Sequence, residues 1–332
     1  MSPVLYTSIM KFNSIKYFAV MLLLFALSIS GCDFKEIKSK ATIGELSIEV
    51  DENIEPVLPY LKSEFERLNP EAKITYSSKP TKVAIADLIN KETKLIMVAS
   101  ELNEDELRIL KENKMEFQKQ EIATDAIAFI VNQSNPVLRV TSDDLKNIFT
   151  GKYDLWSQIK APDDEQNNEV LSNMKGNDNK IKVFIQRPNS ATYSYVKDTL
   201  LAGVEYLKTA VICSTSVQML EMVRSTKNGI GISNLAWLSL GNQDSLDTSV
   251  KTLRISRIYQ GGKQDDYAQL HQGLVFTKKY PYSRKLWAYT TVLDIQLSTG
   301  WITFLRNKDG QKVFLERGLV PVSQPVKVIQ LD

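Results

Sequence analysis

Three short stretches of this sequence group hydrogen-bond donors or acids just ahead of helical patterns. Asn189-Ser190-Ala191-Thr192 opens a helix that runs on from Tyr193, with Arg187 two residues before it. Thr81 stands ahead of Val83, Ile85, Leu88 and Ile89, and Asp51-Glu52-Asn53 stands ahead of Val57, Leu58, Leu61, Phe65 and Leu68. The first turn of a helix carries unpaired N–H groups and a positive partial charge, so small hydroxyl residues there suit a small oxyanion. Arg187 would add a charge-assisted contact. The acids would repel a dianion, yet one of them could accept the hydrogen of a protonated oxygen. Each stretch also has a plainer reading. Ser190 could simply cap its helix with Arg187 solvated, and Asp51 could be an N-cap with Glu52 a first-turn acid.

Catalytic chemistry has little to work with. The single histidine, His271, lies in Leu270-His271-Gln272-Gly273 with no Gly-x-Ser-x-Gly segment nearby, and no Gly-x-x-x-x-Gly-Lys-Ser/Thr run exists. Cys32 and Cys213 are the only cysteines, too few for a four-cysteine zinc site or a disulfide framework. The expectation is a non-enzyme without cofactor or metal, with a hydrolase as the remote alternative. A net charge of +2 gives no basic field for nucleic acid.

The elements that must position these residues alternate along a chain of 332 residues, long enough for about two domains of ~150 residues. With 43% hydrophobic and 24% charged residues it has globular composition. Strand patterns occupy 43–50, 73–76, 95–99, 126–131, 182–185, 229–232 and 274–277, with helical patterns between them. Thr141-Ser142-Asp143-Asp144 reads as a capped helix start. Residues 161–180 are polar and read as a surface insertion. Three helical patterns, near Ser283–Leu293, Ser298–Asn307 and Gly310–Glu316, complete the chain. Strands and helices in alternation predict an α/β fold with mostly parallel sheets flanked by helices.

The N-terminus stands apart. Lys11 and Lys16 precede an uncharged apolar run, Tyr17–Leu27, too short to span a bilayer as a helix. Residues 1–31 are expected to be an export signal, with Met10 an alternative start. Ile29-Ser30-Gly31-Cys32 resembles the lipobox of bacterial lipoproteins, which implies lipidation of Cys32 and a membrane-anchored protein in the periplasm or at the cell surface. Residues 32–42 would then be a tether, and Cys213 a small buried side chain. Removing the leader leaves acidic and basic side chains in equal number.

Five segments resemble, in order, phosphate-type periplasmic binding proteins, the substrate-binding components of phosphate ABC transporters. They are Asp125–Pro136 (DAIAFIVNQSNP), Leu145–Trp156 (LKNIFTGKYDLW), Asn228–Leu238 (NGIGISNLAWL), Tyr280–Tyr289 (YPYSRKLWAY) and Gly310–Pro321 (GQKVFLERGLVP). The resemblance implies a two-lobed fold with two hinge crossings, near Ala126–Asn132 and Leu274–Thr277. Lobe 1 would comprise 43–128 plus 276–332 and lobe 2 would comprise 129–275. It implies a monomer that holds phosphate or a similar small anion between its lobes and delivers it to an ABC permease. Ser190 and Thr192 match the Ser and Thr of the family's Arg-x-x-Gly-Ser-Gly-Thr loop, flanked by Asn189 and Ala191. Arg187 matches its arginine if the loop is one residue shorter; otherwise Gln186 does. Thr81 matches the serine of a Gly-Ser-Gly-x-Gly loop, although Pro80, Lys82 and Ala84 replace the glycines. Asp51-Glu52-Asn53 stand where the family has Gly-Ser-Thr-Thr. The family's acceptor position holds Ala99-Ser100 here, so Asp51 or Glu52 takes that role or the ligand differs. A same-fold lipoprotein that binds another small ligand and has a sensing or surface role, with Tyr193, Tyr195 and Trp237 lining its pocket, is the alternative.

Overall fold

A computed structural model describes residues 39–159, 165–241 and 245–322. The expected leader, Cys32 and the tether as far as Lys38 lie outside the described residues. β1 (Gly44–Asp51) is followed by a short 3-10 turn, Glu55–Val57, and by α1 (Leu58–Leu68), which buries Leu58, Leu61 and Phe65 along one stripe. β2 (Ala72–Lys79) runs parallel to β1 in unbroken register from Gly44↔Ala72 to Asp51↔Lys79. Pro80 then holds the chain extended and α2 (Thr81–Ile89) begins. β3 (Leu95–Val98) is buried throughout, and α3 (Glu104–Glu112) starts on an Asn103/Glu106 capping box. β4 (Gln118–Asn132) is a strand of 15 residues.

The second lobe opens with β5 (Arg139–Thr141) and α4 (Ser142–Phe149), capped reciprocally by Thr141 and Asp144 as the Thr-Ser-Asp-Asp signal predicts. α5 (Glu165–Asn173) falls inside the polar stretch and anchors it through buried Leu171. β6 (Lys182–Gln186), α6 (Ala191–Thr199), β7 (Val211–Cys213), α7 (Ser216–Ser225) and β8 (Gly229–Asn234) follow, then the one-turn α8 (Leu235–Leu238). β9 (Val250–Thr252), β10 (Arg254–Ser256) and α9 (Gln272–Phe276) complete this lobe. The chain then returns through β11 (Ser283–Thr290), α10 (Leu297–Arg306), α11 (Lys308–Glu316) and β12 (Val320–Pro321).

The main sheet has the order β2-β1-β3-β11-β4-β8-β6-β7. β4 belongs to both lobes. Its first part, Gln118–Ala126, pairs with β11, and Ile127–Asn132 pairs with β8 and β9. On one side lies a core built around Ile48, Phe65, Met97, Leu286 and Trp301; on the other lies a core around Phe129, Phe149, Trp156 and Phe184.

Four expectations need correction. Ser283–Thr290 is a strand and not the start of a helix. Leu286 and Leu293 mimic helical spacing, yet Arg284, Leu286 and Ala288 are buried while Lys285 between them is exposed, which is period two. Leu274–Thr277 lies at the end of α9 instead of in a strand; a short apolar run cannot distinguish the two, and His271 caps it by accepting the Gly273 N–H at Nδ1 (3.0 Å). The flanks are parallel as expected, whereas β4 pairs antiparallel with β11, β12, β8 and β9. The second passage between the cores accordingly falls at Tyr282–Ser283 and not near 276, since Tyr280 and Tyr282 pack in the second core. There the Ile127 N–H donates to Tyr282 O (2.8 Å) and the Tyr280 hydroxyl to Ile127 O (2.8 Å), so the two passages are tied together.

The terminal GQKVFLERGLVP segment has a packing reason. A Cβ on Gly310 would lie 2.1 Å from Phe304 O, so only glycine allows α11 to pack this closely on the end of α10. Fully buried Gln311 donates to Ile122 O (2.8 Å) and Leu305 O (2.6 Å), which fastens α11 to β4.

Candidate functional site

β1 ends at Asp51, directly beside the start of α2. Its side chain is fully buried and both oxygens are committed. Oδ1 accepts the Asn53 backbone N–H (2.9 Å) and side-chain amide (2.6 Å), while Oδ2 accepts the Thr81 hydroxyl (2.5 Å) and the Ala99 N–H (3.2 Å). Donors from three separate segments thus converge on one point, and the protein's own carboxylate occupies it. Asp51 is therefore not an N-cap of α1, which begins seven residues later.

The second lobe approaches through the N-terminus of α6. The Ala191 N–H donates to Thr81 Oγ1 (2.8 Å), and the Thr192 hydroxyl donates to Asn53 Oδ1 (2.7 Å). The Lys82 N–H of the first lobe donates back to Asn189 O (3.2 Å). Ser190 caps α6 by accepting the Tyr193 N–H (3.1 Å). Arg187 reaches across to Glu52, Nη2 to Oε2 at 2.5 Å. All nine residues singled out as ligand-binding (Asp51, Glu52, Asn53, Thr81, Arg187, Asn189, Ser190, Ala191 and Thr192) meet at this one seam, bonded chiefly to one another.

Not every atom is satisfied. Glu52 Oε1, Arg187 Nε and Asn189 Oδ1 are buried with no hydrogen-bond partner among the described residues. Burial pushes the Glu52 carboxyl up to about 7; Arg187 pulls it down and Asp51 pushes it up again. Glu52 is thus the acid of the pair with an uncommitted oxygen.

Sequence reasoning gave no role to Asp125, Asn234 and Arg284, the centre of a second group. Asp125, on β4 where the strand passes between lobes, is fully buried. Its Oδ2 accepts from Arg284 (Nη2 3.1 Å, Nε 3.3 Å) and from the Asn234 side chain (2.8 Å), and its Oδ1 accepts the Ala236 N–H (3.3 Å). Arg284 Nη1 continues to Thr192 Oγ1 (3.1 Å). Asn234 also donates to Asn53 O (3.0 Å), and the Trp237 indole N–H donates to Glu52 O (2.8 Å). A signal existed for Asp125: a charge heading the apolar run AIAFIV has to be paired once buried. Arg284 was hidden because its segment reads as helix.

A sheet thus passes from one lobe to the other, with helix N-termini and buried polar side chains facing across the seam. The family profile described as PBP superfamily domain matches residues 38–308. The chain belongs to the PBP superfamily. The phosphate-binding protein PstS of Borreliella burgdorferi is 21% identical over 315 residues, which cover 91% of this chain and 98% of that protein. Among solved structures, one from Clostridium perfringens, described as a phosphate ABC transporter substrate-binding protein with bound phosphate, has a TM-score of 0.68 and 21% identity, covering 84% of this chain and 100% of that one. An ABC-type phosphate transport receptor from Vibrio cholerae has a TM-score of 0.59 and 19% identity, covering 83% and 99%. At these identities the structural likeness concerns the fold, and the two-lobed architecture is common to all three chains.

Proposed function

We propose that this protein is an exported, lipid-anchored solute-binding protein that captures a small inorganic oxyanion, phosphate first, between its lobes and delivers it as a monomer to an ABC permease. One observation carries the reading. Donors from both lobes, Thr81, Ala191, Thr192 and Arg284, converge where the N-termini of α2 and α6 meet. Relatives that span nearly the whole chain and are named phosphate-binding support it.

In the closed arrangement these donors bridge the lobes directly. Separation of the lobes releases the Thr81–Ala191, Asn53–Thr192 and Glu52–Arg187 contacts together, and an anion entering the seam exchanges them for contacts to itself. Of the two acids, Glu52 takes the acceptor role, because both Asp51 oxygens already serve internal donors. A proton on hydrogen phosphate would find Glu52 Oε1, whereas fully ionised sulfate has nothing to give it. No reaction is proposed: Nδ1 of His271 serves as a helix cap.

The test is calorimetry and thermal shift with phosphate, sulfate and molybdate. A ligand that binds only the folded form raises the melting temperature by mass action. Phosphate should raise it in the wild type and fail to do so in a Ser190→Ala/Thr192→Val double variant. Wild-type affinity in that variant would remove the site assignment, and silence with every anion would remove the function.

A further inference from the structure

A cavity of about 790 Å³ opens beside the seam and shares Thr81, Ser190, Ala191 and Arg284 with it. The remainder of its wall comes from both lobes, with Lys82 on α2 and Trp287 on β11 on one side and half-buried Ser194 and Tyr195 of α6 on the other. Its size is the first argument. A five-atom oxyanion needs roughly the space of two or three waters, at ~30 Å³ each. The cavity is several times larger and falls within the ~300–1,000 Å³ common for organic ligands.

The character of the wall is the second argument. Trp287 is held in place with the Lys119 ammonium 4.0 Å from its ring centroid and that of Lys285 at 5.5 Å. The Tyr195 hydroxyl donates to Ser283 O (2.8 Å), which fixes its ring. These are apolar bodies set at fixed positions next to a cluster of anion donors; both ammonium groups are ion-paired, Lys119 with Glu101 and Lys285 with Glu121, and Glu101, Glu106 and Asp198 share the wall. An inorganic ion uses the donors and leaves the aromatic wall untouched. An anion with a short organic substituent uses both. Lys82 adds a cation at the junction, with the Glu106 carboxylate of the same wall near enough to feel its charge.

We propose that the preferred ligand is an organic phosphate, a monoester or phosphonate with a tail of a few carbons, whose anionic head lies at the seam and whose tail lies in this cavity. This rests on the oxyanion-binding function proposed above and goes beyond it, placing an organic ester of the anion ahead of the inorganic ion.

The experiment is titration calorimetry of the mature chain with orthophosphate, glycerol 3-phosphate and glycerol, in the wild type and in Ser194→Trp. Ser194 lines the cavity and its side chain takes no part in the seam, so tryptophan there fills the space for the tail. Glycerol 3-phosphate should bind at least tenfold more tightly than orthophosphate, and glycerol not at all. Ser194→Trp should weaken the ester at least tenfold and leave orthophosphate within twofold. Orthophosphate binding as tightly as the ester in the wild type overturns the inference and leaves the oxyanion function standing, and this comparison needs no variant. A Ser194→Trp protein that loses both ligands equally, with an unchanged melting temperature, also overturns it. If neither anion binds, both proposals fall.

Discussion

Two arginine–carboxylate pairs meet at the same seam, and they are built differently. Asp125 and Arg284 lie on adjacent strands of one lobe, with side-chain exposures of 0% and 3%. Asn234 and the Ala236 N–H saturate the carboxylate from the other lobe. Glu52 and Arg187 join across the lobes, with Arg187 still 26% exposed and one polar atom on each side chain left without a partner. The first pair is a strut: its desolvation is offset by four donors and it has no reason to break. The second is a contact that water or a ligand can replace. The difference lies in how many donors each carboxylate gathers, and both contain the same two kinds of charged group.

The sharpest way to break this contrast is Arg284→Met. It leaves the Asp125 carboxylate buried without its cation, and should lower unfolding free energy in urea by about 3–5 kcal/mol. Loss of less than about 1 kcal/mol would mean the strut is not one. Glu52→Gln comes next and acts through pH. Because the folded chain raises the Glu52 carboxyl from 4.5 to about 7, the folded form alone holds the proton between those values. The stability it contributes is fully present below pH 4.5 and is lost as pH rises through 7, a span of about 3 kcal/mol. Urea melts at pH 4.5, 6 and 7.5 should show this decline in the wild type and a flatter profile in Glu52→Gln. Identical profiles would refute the assignment of Glu52 as the strained partner. Thr192→Val is the smallest change. It strips Asn53 Oδ1 and Arg284 Nη1 of a shared hydroxyl and should cost about 1–3 kcal/mol.

Much of this arrangement was legible in the residues. The Thr141/Asp144 box and the Ser190 cap are local: their partners lie three residues away, and spacing alone reveals them. The positions expected around the ligand did come together, because they sit at the ends of elements whose order along the chain is readable. What spacing could not supply was the identity of partners far apart in sequence. Nothing near Asp51 says that its carboxylate will meet Thr81 and Ala99, and nothing near Asp125 names Arg284, 159 residues away. The β11 error had the same origin. Its strand character comes from the edges of β3 and β4 on either side, and the isolated stretch Ser283–Leu293, with leucines seven residues apart, does not contain that information.

The lacing at Ile127 has a mechanical consequence. Because β4 and the Tyr282–Ser283 passage are hydrogen-bonded side by side, they form a ribbon that can twist or flex but resists one passage sliding past the other. Any parting of the halves would then be a swing about a shared axis. Substitutions in the ribbon would change how quickly the jaws part, while those at their tips would change what they hold.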